Sequence, residues 1–155
     1  MRDVIFTIGY ERAAVPDFLS TLAEARVGVV ADVRAIAHSR RPGFAKTALG
    51  LHLVGAGIGY WHLPALGNPK PGREAAWAGD DALFRAIFQA HLRTSVAVKA
   101  LGQLASRAAD ERICLLCLEA EPERCHRSLV AAALQAAHGI GVRHLFPALA
   151  DAGAG

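Results

Sequence analysis

At 155 residues the chain can bury one hydrophobic core and is too short for two domains of ordinary size, so a single α/β unit is expected over residues 1–147, followed by a Gly/Ala-rich, mobile tail over residues 148–155. Hydrophobic residues make up 53% and charged residues 20%, which excludes a disordered linker because enough apolar surface is present to offset the entropy of ordering. The net charge of +3 is modest but unevenly placed: residues 33–73 hold six basic side chains (Arg34, Arg40, Arg41, Lys46, Lys70, Arg73) and no Asp or Glu, a bias that fits either an anionic partner or an ordinary solvated basic face.

Residues 3–9 form a β-branched run closed by glycine and read as a buried strand, far too short for a signal-peptide core or a membrane span. No membrane partner is expected. Pro16 and Asp17 open a helix whose apolar positions Phe18, Leu19, Leu22 and Ala25 recur at helical spacing, and Gly28 stops it before a second strand at 29–33. A helix over 45–54 and a third strand over 58–62 follow. The stretch 63–79 contains Gly67-Asn-Pro-Lys-Pro-Gly72 and reads as a long connecting loop. Asp80 or Asp81 caps the next helix, which carries Leu83, Phe84, Ile87, Phe88 and His91 on one face. Thr94 and Ser95 lead into another helix, bearing Val98, Leu101, Leu104 and Ala105. Residues 112–119 give a fourth strand, 125–138 an alanine-rich helix stopped by Gly139, and 142–146 a fifth strand.

Strands alternating with helices define an α/β fold with a mainly parallel, five-stranded, Rossmann-like sheet covered on both faces. The helix pair before the fourth strand reads as a return across the sheet. The order 3-2-1-4-5 is therefore expected, with a site at the switch between strands one and four.

The most informative residues are Cys117 and Glu119, with Cys125-His126-Arg127 beginning the following helix. Side chains alternate on a strand, so Cys117 and Glu119 share a face while Cys114 points away. A helix start favours anions, including a thiolate at Cys125. A carboxylate, a thiol, an imidazole and a guanidinium thus fall in one turn region. The competing structural reading has both cysteines as packing residues, Arg127 paired with Glu119, and His126 solvated. A cysteine-phosphatase spacing is excluded, since six residues beyond Cys117 stands Glu123 and six beyond Cys125 stands Ala131. A Cys, Cys, His zinc site is conceivable, but the spacing is not that of a zinc ribbon or finger and there is no second cysteine pair; with Cys114 facing away, too few ligands remain for a closed zinc site, and no metal or other cofactor is expected. Three cysteines clustered over twelve residues do not form a secreted disulfide framework and fit a reducing, cytoplasmic setting.

A second group comprises Asp32 and Arg34 at the end of strand two, with Ser39, Arg40 and Arg41 in the loop beyond, a set suited to holding phosphate or carboxylate; the competing structural reading is a strand-end ion pair followed by a solvated loop. Tyr10, just past strand one, and His62, at the end of strand three, would face the same rim or stand as satisfied surface side chains. Gly55-x-Gly57-x-Gly59 follows a helix and enters a strand, the reverse of a nucleotide-binding fingerprint, and reads as a helix stop and turn.

Taken in order, Thr7-Ile-Gly-Tyr10, Asp32-Val-Arg34, Ser39-Arg-Arg-Pro-Gly-Phe44, Leu66-Gly67 and Cys117-x-Glu119 with Cys125-His-Arg127 resemble the domain of unknown function 488 family over nearly the whole chain. The resemblance implies a compact α/β fold and points to these same positions; it implies no particular reaction. The acidic run Ala120-Glu-Pro-Glu123 departs from it mildly and weakens anion binding at Cys125.

Three functions are consistent with these residues. In an enzyme acting on a phosphate-bearing or other anionic small molecule or nucleic acid, Arg34, Arg40, Arg41 and Arg127 would position the anion, with Tyr10, Ser39 and Cys117 lining the site. Asp32 or Glu119 would act as general acid or base, and Cys125 with His126 as nucleophile or proton carrier. A non-catalytic nucleotide or nucleic-acid module would use the basic loop with Tyr10, Tyr60 and Trp61. A thiol redox or metal sensor would use the cysteines alone.

Overall fold

The computed structural model describes residues 3–119 and 125–148. Five parallel strands, β1 (Val4–Gly9), β2 (Val29–Asp32), β3 (Gly59–His62), β4 (Ile113–Cys117) and β5 (Gly141–Leu145), form one sheet in the order β3-β2-β4-β1-β5. Helices α1 (Val15–Glu24) and α2 (Lys46–Gly55) follow β1 and β2. Helices α3 (Lys70–Trp77), α4 (Asp81–Leu92) and α5 (Ser95–Ala108) join β3 to β4, and α6 (His126–His138) joins β4 to β5.

The α/β architecture matches the sequence pattern, but β4 rather than β1 takes the centre. The reason lies in the strands themselves. Ile113–Cys117 is apolar throughout and buried at all five positions, whereas β3 and β5 carry partly exposed residues suited to the edges. The crossover from β1 to β2 is long enough to leave a slot, and β4 fills it. Its register pairs Gly9 with Cys117 and Asp32 with Leu116, so the carboxyl ends of β1, β2 and β4 finish level.

Alternation along the strands divides the core in two. Phe6, Ile8, Val30, Cys114 and Leu116 face α1 and α2 through Phe18, Leu22, Leu49 and Leu53. Ile5, Val29, Ala31, Ile113, Leu115 and Cys117 face the other layer through Phe88, Leu104, Val130 and Leu134. Because α1 leaves β1 on one face and α6 leaves neighbouring β4 on the other, a crevice opens between the two carboxyl ends. The expected switch between strands one and four therefore exists despite the different order.

The segment 63–79 is not the open loop expected. A 3-10 turn over Pro64–Leu66 and the two-turn helix α3 occupy it. Pro71 sits at the start of α3, where the missing N–H costs nothing. Asp80 caps α4 by accepting from the Leu83 N–H at 3.1 Å, Thr94 caps α5 through Ala97, and Gly139 closes α6 at φ 68°. Strand β4 ends at Cys117, two residues earlier than expected, so Glu119 lies beyond the strand. The tail from residue 149 and the acidic run 120–124 lie outside the described residues. Among the described residues no helix is long and apolar enough to cross a membrane.

Candidate functional site

A cleft of about 710 Å³ opens over the ends of β1, β2 and β4. Its floor comes from Cys117, Glu119 and His126, with Tyr10 and Arg34 on one wall. Asn68, Arg73 and Trp77 of the α3 region and Asp81, Phe84 and Arg85 of α4 form the rim.

The floor is set by close backbone packing. A Cβ on Gly9 would lie 1.7 Å from the Glu119 carbonyl oxygen, so only glycine lets the chain leaving β4 cross the end of β1. There the Arg127 guanidinium, itself fully buried, donates to that carbonyl. Cys125 is the N-cap residue of α6 and His126 its first residue, which returns both to Cys117. The His126 Nδ1 lies 3.5 Å from the Cys117 sulphur and 3.9 Å from the Cys125 sulphur. Its Nε2 is 2.7 Å from the Val33 carbonyl, which can only accept, so Nε2 carries the proton. Phe88 holds the other edge of the ring, with centroids 5.2 Å apart.

The three groups share charge. Burial works against a thiolate at Cys125, but hydrogen bonds from Cys117 and His126 and the charges of His126 and Arg127 outweigh it and hold this thiol well below its ordinary value. Cys117 is pushed up by its hydrogen bond to Cys125 and by burial, and so keeps its proton. Burial disfavours a charged His126, yet the Cys125 thiolate raises it. Burial and the neighbouring Cys125 charge lift the Glu119 carboxyl to about 7. The Glu119 Oε2 lies 3.8 Å from the Cys117 sulphur. Cys114, on the opposite face among Phe6 and Leu116, is raised by burial.

In the second predicted group, Asp32 and Arg34 form the strand-end ion pair. Asp32 is fully buried and binds Arg34 bidentately, at 2.9 Å to Nε and 2.7 Å to Nη2. Arg34 also donates to the Tyr10 hydroxyl at 3.2 Å and to the Phe44 carbonyl at 2.8 Å. Tyr60 donates to Asp32 at 2.6 Å, and burial followed by that bond pushes its phenol upward. Tyr10 stacks on Phe44 with centroids 4.6 Å apart. His62 Nε2 donates to the Arg34 carbonyl at 2.8 Å. These residues form a buried lock under the cleft wall, with Arg34 presenting only an edge to the cleft.

Ser39 accepts from the Arg41 N–H at 3.1 Å in a local turn, and Arg41 donates to the Ala13 carbonyl. Arg40 is exposed, and neither Arg40 nor Arg41 lines the cleft. Trp61 is covered by the Arg107 guanidinium at 4.5 Å. Of the predicted residues, Tyr10, Arg34, Cys117, Glu119 and His126 line the cleft; Cys125 and the fully buried Arg127, expected to position an anion, do not line it, Asp32 stands behind Arg34, and Ser39, Arg40 and Arg41 lie outside the lining.

Sequence reasoning missed Asn68, Trp77 and Arg85, and singled out Arg73 only as one of the six basic side chains of residues 33–73. Reading 63–79 as a loop hid the helical spacing that sets Arg73 and Trp77 four residues apart on one face of α3. Trp77 is 78% exposed, an unusual state for tryptophan, and it lines the cleft.

The geometry defines an α/β protein with a thiol, imidazole and carboxylate cluster at the carboxyl edge of a parallel sheet. Residues 14–134 match the family model described as Domain of unknown function DUF488, and the chain belongs to that family. No curated protein and no solved structure matches it.

Proposed function

We propose that the protein is an enzyme acting on a phosphate-bearing or similarly anionic substrate, a nucleotide or the end of a nucleic acid, bound in the cleft above Cys117, Glu119 and His126. The observation that carries this reading is the joining of a reactive floor to a cationic, aromatic rim. Arg73 and Arg85 offer guanidinium groups to an anion, and the exposed Trp77 offers a face on which a base can stack. Glu119, held near neutrality at about 7, is suited to proton transfer at physiological pH, and the Cys117, Cys125 and His126 cluster is the chemical centre beside it. The purely binding alternative uses the basic loop with Tyr10, Tyr60 and Trp61; all three aromatics are engaged with neighbouring side chains, and Arg40 and Arg41 do not line the cleft.

A thermal-shift screen of nucleotides, sugar phosphates and short oligonucleotides at low salt tests the proposal. A ligand at about 100 times its Kd adds roughly 2.7 kcal/mol, which at this size raises Tm by roughly 5–10 °C. For a ligand so identified, Glu119→Gln should keep the shift and lose turnover by on the order of 100-fold or more. No shift with any phosphate-bearing ligand, or full turnover by Glu119→Gln, would overturn it.

A further inference from the structure

We infer that Cys117, Cys125 and His126 form a binding site for one transition-metal ion, of the zinc class, with its fourth position turned toward the cleft. The donor atoms of the three residues all lie within 4.8 Å of one another, and all three side chains are buried. For a tetrahedral ion with metal–sulphur bonds of about 2.3 Å and metal–nitrogen bonds of about 2.0–2.1 Å, two ligating atoms should sit roughly 3.5–3.8 Å apart by simple geometry. The sulphur-to-nitrogen separations of 3.5 and 3.9 Å meet that requirement with little movement.

The histidine is set up for the task. Its Nε2–H is fixed on the Val33 carbonyl at 2.7 Å, which leaves Nδ1 as the atom directed at the sulphurs. A backbone carbonyl on the far nitrogen is the usual support that orients a ligating imidazole and strengthens it as a donor. Phe88 restrains the ring plane from the side. Two thiolates and one imidazole are soft to borderline donors that select zinc, cobalt or iron over magnesium and calcium.

Charge favours the same occupant. Two ionisable sulphurs and an imidazole packed this closely away from water repel or must share protons, and a divalent cation neutralises two thiolates outright. Cys114 pointing away does remove a fourth cysteine, as the sequence implies. The start of α6 instead brings Cys125 and His126 to Cys117, and Glu119 stands 3.8 Å from that sulphur on the cleft side. Three protein ligands and one position open to a cleft is the arrangement of catalytic rather than purely structural zinc. In this site the two sulphurs hold the ion and do not act as nucleophiles. The inference stands independently of the substrate proposed above.

Titration of chelator-treated, reduced protein with Co²⁺ alone tests it. Saturation at one equivalent per chain is expected, with the strong visible bands of tetrahedral cobalt and a sulphur-to-metal charge-transfer band. Zn²⁺ should displace the cobalt and bleach both. Replacing Cys117, Cys125 or His126 by alanine should weaken binding by more than the roughly 10- to 100-fold typical of losing a supporting residue, whereas Cys114→Ala should leave it unchanged. As a check needing no variant, Zn²⁺ should protect Cys117 and Cys125 of the wild-type chain from alkylation in native conditions. Absence of a stoichiometric cobalt spectrum from the wild-type protein, or a spectrum that survives loss of Cys125 in a folded variant, would overturn the site.

Discussion

Gly9 and Glu119 meet backbone to backbone, with the space for a Cβ on Gly9 already filled by the Glu119 carbonyl oxygen at 1.7 Å and the Arg127 guanidinium at 2.9 Å. A methyl group here must displace the chain leaving β4. Gly9→Ala is therefore expected to destabilise the fold by about 1–3 kcal/mol, as overpacking does, and to disturb Glu119 more than the distant helices. Urea unfolding should show the midpoint falling at unchanged slope. A variant within about 0.5 kcal/mol of wild type would mean that the crossing is more yielding than its geometry implies.

The buried pair Asp32 and Arg34 is expected to matter for stability before it matters for chemistry. Both side chains are almost wholly removed from water, and Arg34 additionally ties Tyr10 to Phe44. Removing the carboxylate by Asp32→Ala strands a buried guanidinium, at a cost of about 3–5 kcal/mol. Chemical denaturation measures it directly. A folded, equally stable Asp32→Ala variant that had lost only turnover would instead return Asp32 to the role of general base.

Glu119 supplies a pH dependence whose direction follows from its environment. Its carboxyl stands at about 7 in the folded protein against an ordinary 4.5, raised first by burial and then by Cys125. The folded state thus holds this proton more tightly than the unfolded chain. Its stabilising contribution is complete below pH 4.5 and is lost as pH rises toward 7. In chelator-treated protein, the stability of wild type relative to Glu119→Gln should fall by up to about 3 kcal/mol between pH 4.5 and 8. Paired denaturation curves across that range check it, and a constant difference would show that the carboxyl titrates normally.

The rim arginines and the loop arginines should separate cleanly in binding. Arg73→Ala and Arg85→Ala are each expected to weaken a phosphate-bearing ligand and, for a nucleic acid, to reduce the logarithmic salt slope by about one. Arg40→Ala, outside the cleft lining, should do neither. Salt titrations of the three variants are the measurement, and equal losses from Arg40 and Arg73 would move the docking surface to the loop.

Much of this architecture can be read from local signals. Asp80, Thr94 and Gly139 mark helix ends by side-chain or backbone chemistry that acts over three or four residues, and each does so in the fold. Cys117, Glu119, Cys125 and His126 fall within ten residues of sequence, so their proximity is nearly a local property too. What escaped was long-range or ambiguous. Pro69, Pro71 and Gly72 punctuate a loop as readily as the first turn of α3, and only Ala75, buried against the core, shows which. Arg34 looks from its position like a hand for anions. Its partners Tyr10 and Phe44 lie 24 and 10 residues away, and no spacing rule links them.

The floor of the cleft comes from the end of β4 and the start of α6, while Trp77, Arg73 and Arg85 come from an excursion between β3 and β4 that packs beside it. Gly67, whose missing Cβ would meet the Ala35 backbone at 2.2 Å, packs the start of that excursion against the chain leaving β2. Between Gly67 and the start of α5 the chain can change its exposed side chains without disturbing the sulphur and imidazole cluster. On the proposed reading, selectivity and chemistry would be carried by separate segments of one small fold, and a library varied only at the exposed positions of α3 and the first turn of α4 should retune what the cleft admits while the cluster beneath it stays intact.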